Sequence, residues 1–242
     1  MVTNTVVTNT VVENAVVENT VVTNTGPADT ALTDTSPVST DRYGRLDPGD
    51  PAQVADYERC FYDAYARLAD NRLTRLIWDF DDAAQRLRTR ISYPDQIVYT
   101  WRNPGGHLAG AMAVNVHPGR VFQGSAFGFA PPAGPSRPGP ARTCEILNVM
   151  TTSRHQVPAM TSYYAFVRDF GYADLVARGV EIAHSTCTRR RLRPYLRLGA
   201  ELLAETAIDG EERFFLAWPL RQLLGSGQRP GSGEGPAAPG RC

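Results

Sequence analysis

The chain has 242 residues, of which 42% are hydrophobic and 21% charged, an ordinary composition for a globular protein. Its 25 basic and 25 acidic residues balance, which argues against a broad nucleic-acid-binding surface because such a surface needs clustered excess positive charge. The sequence contains no lysine, so it has neither a P-loop lysine nor a Schiff-base lysine, and ATP-driven and pyridoxal-phosphate chemistries are disfavoured.

The N-terminal segment repeats every five positions from residue 2 to residue 25. A helix requires a period near 3.6 and a half-buried strand a period of 2, so a period of five fits neither. We therefore predict a low-complexity, disordered tail and linker over residues 1–40. A folded domain is expected over residues 41–221, followed by a flexible Gly/Pro-rich tail over residues 222–242.

The domain opens with a predicted strand at 43–46 and a helix that begins at Asp50 and Pro51. An aspartate can cap free helical amides, and a proline suits the first helical position. A second helix is predicted from Thr74 to Arg90, because apolar residues recur at helical spacing at Ile77, Phe80, Ala84 and Leu87.

The remainder alternates strands and helices. The predicted elements are a hairpin of strands 96–101 and 108–116, a loop at 117–141 with a short strand near 121–127, a strand at 144–150, a helix at 160–178 ended by Gly179, a strand at 180–185, a helix at 190–198 ended by Gly199, and a hairpin of strands 201–208 and 213–218 that turns at Asp209–Gly210.

The four cysteines form no C-x-x-C pair, so neither a zinc site nor a disulfide framework is predicted. No run approaches the roughly 18 apolar residues of a membrane span, and the N-terminus does not have the pattern of a signal peptide. These observations favour a cytoplasmic protein with reduced cysteines.

Three local sequences, together with the order of the predicted elements, resemble those of a known family. Residues 42–50 (RYGRLDPGD), 101–110 (WRNPGGHLAG) and 193–199 (RPYLRLG) resemble an opening strand with an acidic turn, a central hairpin and a late Tyr-x-x-Leu-Gly signature of the GNAT superfamily. The resemblance implies an α/β fold with a mixed, mostly antiparallel sheet of about seven strands, flanked by helices and with splayed central strands. N-acyl amino acid synthases and acyl-homoserine lactone synthases are the subgroup that the chain resembles most.

The resemblance also implies a donor site. Splayed strands leave backbone groups that can pair with a pantetheine arm, and the matching strand here holds Leu147, Asn148, Val149 and Met150. The loop that follows would bind the coenzyme A pyrophosphate through Arg154, His155, Gln156 and Ala159. This loop lacks the family's glycines, and Pro158 removes an amide donor, so the expected donor shifts from acyl-coenzyme A toward a carrier-bound thioester.

Three residues are candidates for proton transfer. The resemblance makes Tyr195 the acid that protonates the departing thiolate, although it could equally be a packing tyrosine. Glu145 could accept a proton from the amine or form an edge salt bridge. His184 suits a general base but could be structural. Strand alternation places Glu145, Leu147 and Val149 on one face.

A dense cationic cluster follows the predicted strand at 180–185. It could dock an acidic acyl carrier protein or the 3′-phosphate of coenzyme A, or it could be a solvated helix face. Cys187 could form a covalent acyl-cysteine, but direct transfer is the commoner route in this fold. The cluster consists of Arg189, Arg190, Arg191, Arg193 and Arg197.

The sequence therefore predicts an N-acyltransferase that moves an acyl group from acyl-coenzyme A or a carrier-protein thioester to a small-molecule amine by direct attack, with no metal. Two alternatives remain open. The domain could be a catalytically silent binding or regulatory module, which the glycine-free loop favours, or it could perform other thioester chemistry such as decarboxylation.

Overall fold

The structure is a computed structural model that describes residues 42–68, 71–131, 142–152, 160–197 and 199–225. The predicted N-terminal tail at 1–40 and residues 226–242 of the predicted C-terminal tail lie outside these residues. The described strands are β1 (Arg42–Arg45), β2 (Trp78–Asp81), β3 (Arg86–Thr89), β4 (Gln96–Arg102), β5 (Leu108–Asn115), β6 (Arg142–Thr151), β7 (Val180–Thr188), β8 (Glu201–Ile208) and β9 (Glu211–Pro219). The described helices are α1 (Pro51–Tyr65), α2 (Arg72–Ile77), α3 (Met160–Tyr164), a π-helical segment (Ala165–Tyr172), α4 (Ala173–Ala177), α5 (Arg189–Arg197) and α6 (Leu220–Gly225).

Seven strands form one sheet in the order β1-β4-β5-β6-β7-β9-β8, and β2 and β3 form a separate hairpin. Neighbouring strands of the large sheet are antiparallel, except that β6 and β7 run parallel. The prediction of a mixed, mostly antiparallel sheet flanked by helices is confirmed.

Local sequence signals at helix and strand ends are also confirmed. The Asp50 side chain accepts hydrogen bonds from the backbone amides of Ala52 and Gln53, and so caps α1. Gly179 and Gly210 have φ angles of 84° and 79°, the left-handed conformation that favours glycine after a helix and in a tight hairpin turn.

The predicted helix from Thr74 to Arg90 is wrong. Helix α2 ends at Ile77, and the chain continues into the β2–β3 hairpin, in which Phe80 and Leu87 are direct partners. Residues seven apart lie on one face of a helix, but they can also lie opposite each other across a four-residue turn. The spacing therefore fitted both structures, and packing of the hairpin against α1 selects the second.

Three smaller corrections follow from tertiary contacts. The short strand predicted near 121–127 is a 3-10 turn, Gln123–Phe127, whose first backbone amides donate to a buried carboxylate. The helix predicted at 160–178 exists, but its centre is π-helical. Helix α6 starts at the buried Leu220 and runs to Gly225, so residues 222–225, predicted to belong to the tail, are helical.

Two apolar layers sandwich the sheet. One layer packs beneath α1, α2 and the β2–β3 hairpin, and the other beneath the π-helical segment, α4 and α6. Representative residues of the first layer are Tyr57, Phe61, Leu87, Met150 and Phe215, and of the second Met112, Ile146, Phe166, Leu175 and Trp218.

A β-bulge interrupts β6 at its centre. Ala113 on β5 lies opposite Asn148, but the next residue, Val114, lies opposite Ile146, so Leu147 is an extra residue on β6. The regular alternation predicted along this strand is therefore wrong beyond Leu147, because the additional residue shifts the pleat by one position.

The bulge decides which side chains face α1. Glu145 accepts a hydrogen bond from Gly124 of the 3-10 turn, whose Phe127 packs in the layer under α1, and Asn148 donates one to Tyr57 of α1. Both side chains therefore lie on the α1 side of the sheet. Val149 packs instead against the opposite layer. A strand without the bulge would have placed Asn148 on the far side and Val149 beside Glu145.

Candidate active site

The parallel strands β6 and β7 form a fork in the middle of the sheet. Their register runs from Arg142 opposite Val180 to Glu145 opposite His184, although β6 continues to Thr151. Beyond Glu145, β6 stays paired with β5 and β7 with β9. The prediction that the central strands splay is therefore correct, and the splay begins directly after Glu145.

The fork leaves a polar backbone edge on β6. The Thr152 amide donates to the Ala109 carbonyl near the start of β5. Because alternate residues of a strand face the same neighbour, residues 152 and 150 both direct their backbone groups toward β5. Val149 then directs its amide and carbonyl away from β5, into the fork. Two side-chain hydroxyls reach this edge: Ser185 on β7 donates to the carbonyl of Ile146 at 2.9 Å, and Tyr65 on α1 donates to the carbonyl of Val149 at 3.0 Å.

Glu145 lies at the closed end of the fork and is only 1% exposed. Its carboxylate accepts hydrogen bonds from the backbone amides of Gln123 (2.9 Å) and Gly124 (2.8 Å) and from the Asn115 side chain (3.3 Å). Burial raises the pKa of Glu145 to about 7, and the three donors oppose that rise. The carboxylate therefore ties the 3-10 turn to β6, in place of the edge salt bridge considered from the sequence.

His184 is the partner of Glu145 across the closed end. Its ring stacks on Phe215 with centroids 5.5 Å apart, and burial lowers its pKa, which a hydrogen bond with the Cys144 backbone partly offsets. The imidazole is therefore neutral near pH 7. Within the described residues, its Nδ1 atom is buried and has no hydrogen-bond partner.

Tyr195 of α5 belongs to a group of tyrosines at the fork, together with Tyr65, Tyr163 and Tyr172. Burial raises the pKa of Tyr195, whereas the nearby Arg191 lowers it. The pKa values of the other three tyrosines are raised mainly by burial and, as the second-largest cause, by the Tyr195 phenol. The phenols therefore interact electrostatically with Tyr195, and at neutral pH all four carry their protons.

Cys187 lies near the same group. Burial raises the pKa of its thiol to about 12, which exceeds the lowering effect of Arg213 and Arg191. A thiol with such a pKa holds very little thiolate at neutral pH, and the thiolate is the nucleophilic form. The environment of Cys187 is therefore that of a structural cysteine.

Asn148 lies at the bulge, next to the open edge. Its side-chain amide donates to the Tyr57 hydroxyl at 3.1 Å, and its Oδ1 atom is buried without a hydrogen-bond partner in the described part of the chain. A buried amide oxygen without a partner is costly and is uncommon away from functional sites.

The arginine cluster divides into parts with different environments. Arg189 pairs with Glu212 and stacks over Phe214, and Arg191 is half-buried beside the tyrosines. Arg190, Arg193 and Arg197 are exposed to solvent.

The structure thus brings several predicted site residues to one fork and adds others. Glu145, His184 and the strand from Leu147 to Met150 border it, and Tyr195, on the helix that follows β7, packs on Trp218 of β9. The loop residues Arg154, His155, Gln156 and Ala159 lie outside the described residues. Sequence reasoning missed Tyr65, which stands 84 residues before its partner Val149, and no local motif marks a contact of that kind.

Among the described residues, no group of three or more His, Cys, Asp or Glu side chains could hold a metal ion. The described helices include none that is both long and apolar enough to cross a membrane.

Comparison with solved structures identifies the architecture. The acyl-homoserine lactone synthase LasI matches with a TM-score of 0.56 at 10% identity, over 78% of this chain and 98% of LasI. The coenzyme A-dependent acyl-homoserine lactone synthase BjaI, solved with SAM and isopentyl-CoA, matches with a TM-score of 0.54 at 10% identity, over 74% of this chain and 82% of BjaI. TofI, in a ternary complex with an inhibitor and MTA, matches with a TM-score of 0.51 at 14% identity, over 76% and 95% of the two chains.

No protein-family model matches the sequence, and no curated protein sequence matches it. The structural matches confirm the predicted GNAT-type fold and its likeness to the acyl-homoserine lactone synthases in architecture.

Proposed function

We propose that this domain is an N-acyltransferase that moves an acyl group from a pantetheine thioester to a small-molecule amine. The observation that carries the proposal is the fork between β6 and β7, where the backbone of Val149 faces away from β5 and can pair with the amides of an extended thioester arm. The acyl-homoserine lactone synthases that share the fold support it, and one of them, BjaI, is described as coenzyme A-dependent.

Tyr195 is the proposed proton donor to the departing thiolate. Its raised pKa keeps the phenol protonated at neutral pH, so the proton is available when the thiolate forms. Arg191 lies close enough to lower that pKa, and it would help to stabilise negative charge as the thiolate forms.

His184 is the favoured acceptor of the amine proton, with Glu145 as the second candidate. The imidazole is neutral and its Nδ1 has no partner, whereas the Glu145 oxygens already accept three hydrogen bonds. Glu145 is opposite His184 in the strand register, and in its ionised form it would favour the imidazolium that forms when the amine loses its proton.

Direct attack by the amine is proposed in preference to a covalent acyl-cysteine, because the buried Cys187 thiol is protonated at neutral pH. Holding the two substrates together at the fork lowers the entropic barrier of their reaction.

The donor is proposed to be an acyl carrier protein or coenzyme A. The exposed residues Arg190, Arg193 and Arg197 follow β7 at the open end of the fork, where a carrier protein would deliver its arm. The predicted phosphate loop, with Arg154, His155, Gln156 and Ala159, would hold the coenzyme A pyrophosphate or a carrier phosphate at the end of β6.

The direct test is to incubate the full chain with coenzyme A and carrier-protein thioesters of several acyl lengths, together with a panel of amines, and to identify products by mass spectrometry. N-acylated amine and free thiol in equal amounts are expected. Thioester binding without any product would instead indicate a silent module, and carbon dioxide release without an acceptor amine would indicate decarboxylation.

A further inference from the structure

The two hydroxyls on the open edge of β6 come from different parts of the fold. Ser185 stands on β7 at the point where the strands separate, so its hydrogen bond to Ile146 extends the pairing of the strands. Tyr65 is the last residue of α1 and reaches the edge from outside the sheet. Its bond to Val149 therefore has no part in the sheet ladder.

The Val149 carbonyl is the acceptor that an extended arm at this edge would require. Val149 and Thr151 direct their backbone groups into the fork, and Val149 is the nearer of the two to the closed end. An arm that pairs with this edge must place an amide N–H where the Tyr65 hydroxyl now lies, 3.0 Å from the carbonyl oxygen.

The ring of Tyr65 packs in the apolar layer under α1, and its phenol lies near enough to Tyr195 for the two to interact. Its ring packs against Phe61 and Trp78, with centroid distances of 5.4 and 4.8 Å. Burial raises the pKa of its phenol, Tyr195 raises it further, and Arg191 lowers it. The side chain thus joins the apolar layer under α1 to the group around Tyr195.

We infer that Tyr65 is a residue of the donor site whose hydroxyl holds the place of an arm amide and is displaced when the arm binds. The inference rests on the proposed thioester function and adds one step to it, the displacement of the Tyr65 hydroxyl from the Val149 carbonyl. Since one hydrogen bond to Val149 is exchanged for another, removing the competing hydroxyl should favour the arm. The end of α1 would then change its contacts whenever a donor is loaded.

The test compares the wild type with Tyr65→Phe, which keeps the ring but removes the hydroxyl. The probe is 4′-phosphopantetheine, which carries both arm amides and needs no choice of acyl group, and binding is measured by calorimetry. Tyr65→Phe is expected to bind about fivefold more tightly, equivalent to about 1 kcal/mol. Tyr62→Phe is the matched control, because Tyr62 lies on the same helix but donates to the exposed Asp82; its affinity should equal that of the wild type.

A second readout follows the displacement itself. Trp78 contacts the Tyr65 ring, so its fluorescence should change when the probe binds to the wild type, and this change should be absent in Trp78→Phe. If Tyr65→Phe fails to fold, as judged by circular dichroism, Tyr65→Leu removes the same hydroxyl and takes its place.

The outcomes separate the two proposals. Tighter binding by Tyr65→Phe with an unchanged control supports displacement. Equal or weaker binding by this variant, with clear binding by the wild type, overturns the role of Tyr65 and leaves the proposed function standing. If no form of the chain binds the probe or any acyl-phosphopantetheine, the proposed donor is wrong, and the role of Tyr65 is rejected with it.

Discussion

The two halves of β6 differ in how their polar groups are satisfied. Up to Glu145 the strand pairs with β7, at Glu145 it pairs with both neighbours, and the buried carboxylate of Glu145 holds the 3-10 turn through two backbone amides. Beyond Glu145 the strand pairs with β5 alone, and hydroxyls of Ser185 and Tyr65 reach the edge that β7 has left. The closed half is built for stability, whereas the open half can exchange its partners, and the comparison predicts different effects of substitution in each.

The largest expected effect is on turnover at the open half. Tyr195→Phe should lower kcat about a hundredfold, because the departing thiolate would lose its proton donor. Thioester affinity should change little. The measurement is steady-state kinetics with the donor and amine that the product screen identifies.

Tyr172→Phe serves as the matched control for Tyr195, since Tyr172 is a half-buried tyrosine of the same group. Comparable losses of kcat in both variants would show that the group acts through packing and that Tyr195 has no special role as an acid.

At the closed half the largest effect should be on stability. Glu145→Ala leaves the amides of Gln123 and Gly124 without an acceptor, and we expect the free energy of unfolding to fall by about 2 to 3 kcal/mol. Tyr65→Phe, at the open half, should cost at most about 1 kcal/mol. Urea unfolding of both variants tests this, and equal losses would contradict the distinction between the two halves.

The stability of the protein should also depend on pH through Glu145, at the closed end of the fork. The pKa of Glu145 is about 7 when folded, against an ordinary value of 4.5, so between these pH values the folded state binds more protons than the unfolded state. The contribution of Glu145 to stability should therefore fall as the pH rises from 4.5 to 7, by on the order of 2 kcal/mol.

The lowered pKa of His184 acts in the opposite direction, because stability is then lost as the pH falls below 6.5. The quantity to measure is therefore the difference in unfolding free energy between the wild type and Glu145→Gln at each pH. A difference that stays constant from pH 4.5 to 8 would exclude the raised pKa.

The smallest expected effect concerns docking at the open end. Reversing the charge of the three exposed arginines should raise KM for a carrier-protein donor about tenfold at low salt, less at high salt, and leave KM for acyl-coenzyme A nearly unchanged. The variant is Arg190→Glu, Arg193→Glu and Arg197→Glu, and the matched control is Arg59→Glu, Arg88→Glu and Arg221→Glu, all exposed elsewhere. Equal shifts with both donors would argue against a docking surface.

Features set by neighbouring residues could be predicted from the sequence. The Asp50 cap and the Asp209–Gly210 turn depend on side chains and φ preferences within a few residues. The β2–β3 hairpin could not be distinguished from a helix, because the same apolar spacing serves both and contacts with α1 select between them.

The candidate site was predictable only in part, for a similar reason. Strand position and the family signature predict Tyr195, Glu145 and His184 as site residues. Glu145 and His184 face each other where the strands separate, and Tyr195 lies on the helix that follows β7. The bulge at Leu147 leaves no mark in the local pattern, since it arises from the register between β5 and β6. It moves Asn148 to the α1 side, and that change of face could not be foreseen.

The fork also has a mechanical consequence. The large sheet consists of two parts, β1-β4-β5-β6 and β7-β9-β8, which are paired only along the short stretch from Arg142 to Glu145 of β6. We expect this short region of pairing to act as a hinge, so that a change in the angle between the two parts would change the width of the gap. Each part would keep its internal hydrogen bonds during such a change.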